Sequence, residues 1–151
     1  MRMPHLEFIY RIVAEMDKGG VTEIKGIDGT AKSRIVPPIQ GGYVNGPQIR
    51  GVIVEKIGAD WAEVIDPNKS LTRLNAMYTL RTDHNVLILV KAQGIYRTGP
   101  GVDEEFEATR DSSYGWLNSV VAVGVMIMWQ GKPVIDCYRL TNFPGKRAAN
   151  L

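Results

Sequence analysis

Residues 71–96, LTRLNAMYTLRTDHNVLILVKAQGIY, decide the fold because they place two apolar runs around a short polar turn. Leu71–Thr82 and Val86–Tyr96 are rich in aliphatic, aromatic and β-branched residues, which predicts two antiparallel strands of a hairpin. If His84-Asn85 is a two-residue type I′ turn, both residues take positive φ. That turn places Arg81 opposite Ile88.

The predicted hairpin leaves two interpretations of its faces open. In the first, one face lines an interior cavity, where the small partners Ala92 and Gly94 leave space. This face carries Asn75, Met77, Thr79 and Arg81. In the second interpretation Arg81 faces solvent and the core is formed by Tyr78, Leu80, Leu87 and Leu89. Alternation alone does not separate the two.

Strand patterns recur along the rest of the chain and favour an all-β barrel or sandwich. Leu6–Ala14 alternates, with apolar residues at every second position through Tyr10 and Ile12. Arg97–Ser113, which contains the acidic run Asp103-Glu104-Glu105, is predicted to be a polar connection holding at most one short helix. We expect one domain over residues 1–142 and a flexible tail over 143–151.

Composition excludes several classes of function. Eighteen Lys and Arg against sixteen Asp and Glu give a net charge of +2, far from the dense cationic surface that nucleic acids require. The single cysteine, Cys137, permits no internal disulfide and is predicted to be a small buried side chain. His5 and His84 have no partners at metal-ligand spacing, so we expect no metal and no cofactor. Charges within the N-terminal apolar stretch argue against a signal or membrane span, and predict a cytoplasmic protein.

Four segments carry a resemblance to a known family: Gly41–Gly51 (GGYVNGPQIRG), Gly58–Trp61 (GADW), Tyr78–Asp83 (YTLRTD) and Tyr114–Asn118 (YGWLN). Together they resemble the domain-of-unknown-function 3237 family, small single-domain proteins of bacteria and fungi, from the first strand to Tyr138. The resemblance implies a closed antiparallel β-barrel with a central cavity. It also implies that some fungal members act as cofactor-free cyclases, which close an ether ring on an aromatic polyketide.

The sequence departs from the family pattern at three places. The family usually has an acid where Asn75 stands, an arginine where Met77 stands, and Asp-Gly in place of His84-Asn85. If positions 75 and 77 face the cavity, these departures make it less charged and suit an apolar aromatic ligand.

Three residues are candidate catalytic groups. Asp60 is a candidate general base whose pKa a dry cavity would raise, although it could instead bind backbone amides of its turn. Arg81 is a candidate donor to a developing phenolate or enolate, and would need an acid such as Asp60 nearby. Glu107, in a Phe-Glu pair similar to that of the family, is a second acid/base candidate. We expect these groups and the substrate-binding residues to surround one opening: Arg50, Trp61, Asn75, Met77, Thr79, Tyr114, Trp116 and Asn118.

These features predict a cofactor-independent cyclase or isomerase. It would close an ether ring by intramolecular hydroalkoxylation of a polyketide-like aromatic molecule in secondary metabolism. A second hypothesis is a non-catalytic carrier of hydrophobic small molecules that uses the same cavity. A third is a structural subunit that forms a homo-oligomer through an exposed strand.

Overall fold

Twelve β-strands of 3 to 12 residues and one short helix account for the regular secondary structure of the described part of the molecule. The structure is a computed structural model that describes residues 5–26, 33–66, 71–96, 101–108 and 114–141, without the side chains of residues 66, 101–108, 118 and 119. The strands are β1 (His5–Met16), β2 (Thr22–Ile24), β3 (Arg34–Val36), β4 (Pro38–Asn45), β5 (Arg50–Ile53), β6 (Gly58–Asp60), β7 (Ala62–Asp66), β8 (Leu71–Thr82), β9 (Leu87–Tyr96), β10 (Gly101–Ala108), β11 (Ala122–Trp129) and β12 (Lys132–Thr141).

The strands pair antiparallel into one sheet that returns to its starting strand. The order β8-β5-β4-β1-β12-β11-β10-β9 is closed by the pairing of β9 with β8. Strand β6 bridges β4 and β8, and β7 pairs with the start of β8 and carries β3 and β2. The space enclosed by this ring of strands is called the interior below.

The central hairpin forms as predicted, but in a different register. Arg81 pairs with Leu87 and Leu80 pairs with Ile88, so the predicted pairing of Arg81 with Ile88 is wrong by one residue. The turn has three residues: the N–H of Asn85 donates to the carbonyl of Thr82, and Asn85 alone takes a positive φ, of 60°. A type I turn followed by one left-handed residue is the common three-residue hairpin loop, and it shifts the register relative to a two-residue turn.

This shift inverts the face of β8 in the first interpretation, while Ala92 of β9 stays in the interior. A slip of one residue moves every side chain of a strand to the opposite face. Tyr78, Leu80 and Thr82 are therefore buried in the interior, while Arg81 is exposed on the outer face. The second interpretation is correct for Tyr78, Leu80 and Arg81, but Leu87 is exposed and Leu89 is half-buried.

Two further predictions about local structure are corrected. The acidic run 103–105 lies within β10, which pairs with both β9 and β11 and so completes the ring. The short helix is a 3-10 helix at Gly115–Ser119, outside the predicted interval. The tail predicted for residues 143–151 lies outside the described residues.

Glycines of the first family-like segment allow backbones to approach closely. A Cβ atom on Gly42 would lie 2.1 Å from the carbonyl oxygen of Val13, and one on Gly51 would lie 2.1 Å from that of Arg81. Both distances are far below van der Waals contact, so side chains at these positions would separate β4 from β1 and β5 from β8.

One cluster of buried apolar residues runs through the interior. Tyr10, Ile12, Leu80, Ile88 and Cys137 are each at most 1% exposed, which confirms the burial of Cys137 and of the predicted β1 face from Tyr10 onward. Leu6 and Phe8 are 49% and 39% exposed, so the predicted face is wrong at the start of β1, where a β-bulge between Phe8 and Tyr10 shifts the alternation. At the end of the interior near the β8–β9 turn lie four buried residues that together are called the closed end below: Ile49, Thr82, Tyr114 and Leu117.

Candidate ligand cavity

A cavity of about 60 Å³ lies at the opposite end of the interior from the closed end. The half-buried Met16, Leu74 and Pro133 are on its rim. Its wall is formed by Ile12, Ala14, Ile39, Ile53, Asp60, Ala76, Tyr78, Ala92, Met126 and Ile135. Of all these lining residues only Asp60 and Tyr78 have polar side-chain atoms. The cavity is therefore an apolar space with one carboxyl group on its wall.

Strand β6 positions Asp60 on this wall. Asp60 pairs with Ala76 of β8, and directly opposed residues of antiparallel strands share a face. Gly58, two residues earlier, allows this close approach, because a Cβ there would lie 2.8 Å from the Cβ of Tyr78. The short strand β6 thus places the Asp60 carboxyl next to β8.

Burial controls the protonation of Asp60. Desolvation raises the pKa of the Asp60 carboxyl above its usual range, and the hydrogen bond from the Asn75 N–H lowers it by a smaller amount. That N–H donates to Asp60 Oδ1 at 2.9 Å. The bond fixes the carboxyl on the wall without cancelling the cost of its charge. Asp60 is thus both held in place and more basic than an ordinary aspartate.

The closed end contains other predicted site residues, far from Asp60. Tyr114 Oη lies 2.9 Å from His84 Nδ1 in the β8–β9 turn, and the Arg139 guanidinium lies 5.8 Å from the Trp116 ring centre. Thr82 lies six positions along β8 from Ala76, the residue beside Asp60, which corresponds to about 20 Å at about 3.3 Å per residue. The expectation that Tyr114, Trp116 and Asn118 surround the same opening as Asp60 is therefore wrong, because the strand length separates them. The backbone of Asn118 lies in the 3-10 helix at this end.

The outer face holds most of the remaining predicted residues. The shifted register turns four of them away from the cavity: Asn75, Met77, Thr79 and Arg81. Trp61 also faces outward, with 54% of its surface exposed, because it follows Asp60 directly and successive residues alternate. Arg50 is exposed at the start of β5. The polarity inferred for the cavity from positions 75 and 77 is therefore wrong, since neither residue lines it.

The position of Glu107 is known only from the backbone. It pairs with Leu89, whereas Glu104 pairs with Ala92 of the cavity wall. The Glu107 side chain lies outside the description, so its role as a second acid stays a prediction.

Sequence reasoning missed most of the wall. Ile12 and Ala14 carried a usable signal, since the alternation of β1 put them on one face with Tyr10. Met126 and Ile135 face each other across β11 and β12. Strand β11 is apolar on both faces, and the apolar face of β12 continues past Ile135 to Cys137. Nothing in such runs shows which residues border empty space.

Two features are absent from the described residues. They contain no group of three or more His, Cys, Asp or Glu side chains arranged to hold a metal ion. Within the same ranges no helix has the length and apolar character of a membrane-spanning segment.

Comparison with known proteins supports the architecture. The family model described as "Protein of unknown function (DUF3237)" matches residues 4–112. The chain belongs to this family. No curated protein matches it significantly by sequence.

Solved structures place this DUF3237 member among similar folds. A conserved protein of unknown function from Rhodopseudomonas palustris has a TM-score of 0.79 at 25% identity, over 93% of this chain and 100% of its own. A β-barrel-like protein from Acinetobacter baumannii has a TM-score of 0.78 at 26% identity, over 92% of this chain and 97% of its own. An enzyme from Penicillium herquei has a TM-score of 0.72 at 23% identity, over 91% of this chain and 95% of its own. This likeness concerns the fold alone.

The family-like segments of this DUF3237 chain serve different parts of the structure. Gly41–Gly51 contains the β4–β5 turn, and Tyr114–Asn118 overlaps the 3-10 helix of the closed end. Gly58–Trp61 brings the Asp60 carboxyl to the cavity wall, and Tyr78–Asp83 brings the Tyr78 phenol there. The other two segments belong to the scaffold, so Asp60 and Tyr78 are the points at which the family pattern meets the cavity.

Proposed function

We propose that this protein is a cofactor-independent acid/base catalyst, a cyclase or isomerase, in which Asp60 moves the proton. The observation that carries the proposal is a carboxyl of raised pKa on the wall of an otherwise apolar cavity. A carboxyl whose pKa is raised by burial is one of the groups that enzymes use for proton transfer. The Penicillium herquei protein supports the proposal only as an example of this fold in an enzyme.

Ring closure by hydroalkoxylation needs no more than one such group. The Asp60 carboxylate removes the proton of a substrate hydroxyl, and the oxygen adds to the electrophilic carbon of a conjugated alkene. A C–O bond forms as the C=C π bond is lost, and the carbanion-like centre takes the proton back from Asp60. Substrate and product are isomers, so no oxidant, reductant or leaving group takes part.

The cavity limits how much of a substrate can enter. At about 60 Å³ it is much smaller than an engineered 150 Å³ cavity that holds benzene. We assign the cavity to the reacting end of an aromatic, polyketide-like molecule, whose remainder projects past the rim. Met16 and Met126 are flexible side chains that can adjust to such a ligand.

Tyr78 is the second polar residue of the wall. It is 3% exposed and projects from β8 two residues after Ala76, the partner of Asp60. We assign it to orienting the substrate oxygen, since a phenol can both donate and accept a hydrogen bond.

A carrier of hydrophobic small molecules is the alternative, favoured by the nearly complete lack of polar atoms on the wall. One substitution separates the two functions. Asp60→Asn keeps the shape of the side chain, but its amide can neither accept the substrate proton as a base nor return it as an acid. An enzyme would lose turnover and keep ligand affinity, whereas a carrier would have no turnover to lose.

The experiment uses 2′-hydroxychalcone and related hydroxyaryl enones, whose phenol adds intramolecularly to the alkene. The wild-type protein should accelerate closure and favour one enantiomer of the product. Asp60→Asn should lower the rate by about a hundredfold or more, the usual contribution of general acid/base catalysis. Asp83→Asn, at an exposed aspartate, is the matched control and should keep full activity. Equal rates in Asp60→Asn and wild type would overturn the proposal.

A further inference from the structure

The outer surface has a second pocket, larger than the cavity. It measures about 190 Å³ and lies where β3, β7 and β8 run side by side. Its lining is Arg34, Val36, Trp61, Glu63, Arg73 and Asn75. The sheet itself separates this pocket from the interior, because Trp61 and Asp60 are consecutive residues on opposite faces.

The pocket combines an accessible indole with positive charge. Trp61 is 54% exposed, an unusual state for the largest apolar side chain. Arg34, Glu63 and Arg73 form one row across the three strands, and Arg73 Nη1 lies 3.1 Å from Glu63 Oε2. Among the described residues Arg34 has no ion pair, so two arginines and one glutamate leave a net charge of +1.

We propose that this outer pocket binds a planar aromatic carboxylate, stacked on Trp61 and paired with Arg34. Stacking of an aromatic ring on the Trp61 indole is favourable, and the Arg34 guanidinium can donate two parallel hydrogen bonds to the two oxygens of a carboxylate. The pocket volume exceeds the 150 Å³ that suffices for benzene, so a ring with a carboxylate fits. The site is independent of the function proposed for the interior.

Glu63 sets the selectivity of the pocket. By holding Arg73 it leaves Arg34 as the cation available to the ligand, and its own charge disfavours a second negative group there. The ligand should therefore carry one negative charge. A neutral aromatic amide lacks the ion pair, and a saturated ring carboxylate lacks the stacking.

Indole N–H signals in two-dimensional NMR provide the test, with Trp116 and Trp129 as internal controls. Titration with 2-naphthoate should shift the Trp61 signal, assigned from Trp61→Phe, in a saturable way, with a Kd on the order of millimolar. The neutral 2-naphthamide and the saturated cyclohexanecarboxylate should each bind about threefold or more weakly.

Substitutions of exposed residues complete the test. Arg34→Gln should weaken 2-naphthoate about threefold, as expected for an exposed ion pair. Arg50→Gln removes an exposed arginine on β5 outside the pocket and should leave the affinity unchanged. The proposal is overturned if 2-naphthoate leaves the Trp61 signal in place, if it shifts only Trp116 or Trp129, or if Arg34→Gln and Arg50→Gln bind it equally.

Discussion

Asp60 and Trp61 are consecutive residues that are held, back to back, by the backbone of a single partner, Asn75. The Asn75 N–H donates to Asp60 Oδ1 at 2.9 Å, and its carbonyl accepts the Trp61 N–H at 2.9 Å. One residue of β8 therefore anchors both the acid of the cavity and the indole of the outer pocket. Because the two side chains lie on opposite faces, each can be changed with little effect on the surroundings of the other.

The first prediction concerns the pH dependence of turnover. A base acts in its ionised form, so kcat/KM for enone cyclisation should rise with pH as Asp60 ionises. Burial raises the pKa of this group, which places the midpoint above the ordinary value of 3.8. Rates measured from about pH 3 to about pH 8, corrected for spontaneous closure, check this. A midpoint at or below the ordinary value would contradict the role of the cavity.

The second prediction concerns stability. In the folded protein the pKa of Asp60 is raised, so the folded state binds more protons than the unfolded state between the two pKa values. The contribution of Asp60 is therefore complete below the unfolded value and is lost as pH rises through the folded one. Relative to Asp60→Asn, the wild type should lose free energy of unfolding across that interval.

Urea denaturation of both proteins over this pH range measures the difference. Asp83→Asn serves as the control for removing one charge from the chain. A wild-type protein that gains stability relative to Asp60→Asn with rising pH would show the opposite sign, and would mean that the hydrogen bond from Asn75 outweighs desolvation.

The third prediction fills the cavity. Ala92 is 3% exposed on the wall, and Ala92→Val adds two carbon atoms into the space of about 60 Å³. Ligand affinity should fall about tenfold or more, whereas stability should change by no more than about 1 kcal/mol, because the added atoms enter a void. Thr79→Val, on the outer face of β8, is the control and should leave affinity unchanged. Undiminished affinity in Ala92→Val would place the ligand elsewhere.

The fourth prediction tests the close approach of β5 to β8. Gly51→Ala puts a Cβ 2.1 Å from the Arg81 carbonyl oxygen, and should destabilise the protein by about 2–3 kcal/mol. At Gly19 the nearest atom to an added Cβ is 3.6 Å away, so Gly19→Ala should change stability by at most about 0.5 kcal/mol. Thermal or urea unfolding of the pair measures both. Equal stabilities would show that the two strands separate without cost.

The hairpin shows how far the sequence determines this structure. Alternation and turn residues sufficed to predict that Leu71–Thr82 pairs with Val86–Tyr96, because both depend on local chemistry. The register depends on whether the turn has two or three residues. Asn85 tolerates positive φ in either turn, so this residue does not distinguish them. The three-residue turn is the one that buries Thr82, and the Thr82 Oγ1 accepts the Val86 N–H at 3.1 Å.

The same one-residue difference accounts for the misplaced site residues of β8, but not for those of the closed end, which the length of β8 separates from Asp60. Met77 and Arg81 were placed on the cavity face by the predicted pairing with small residues of β9, and Arg81 also by its family-like segment; in the observed register both lie on the outer face. Asp60 was chosen from its turn and its family-like segment, independently of the register, and it lines the cavity. The acidic run 103–105 was assigned to a connection because of its charge. Val102 and Phe106, on either side of the run, are four residues apart, as residues on one face of a strand are.

The glycine contacts of β4 and β5 have a consequence for how function varies among related proteins. Gly42 and Gly51 are required by backbone contact, whatever molecule the interior holds. The wall positions 12, 14, 126 and 135 belong to other strands and lie outside the four family-like segments. Substrate preference can therefore diverge through these wall positions while the family signature stays intact, and two members with the same signature can be expected to accept different molecules.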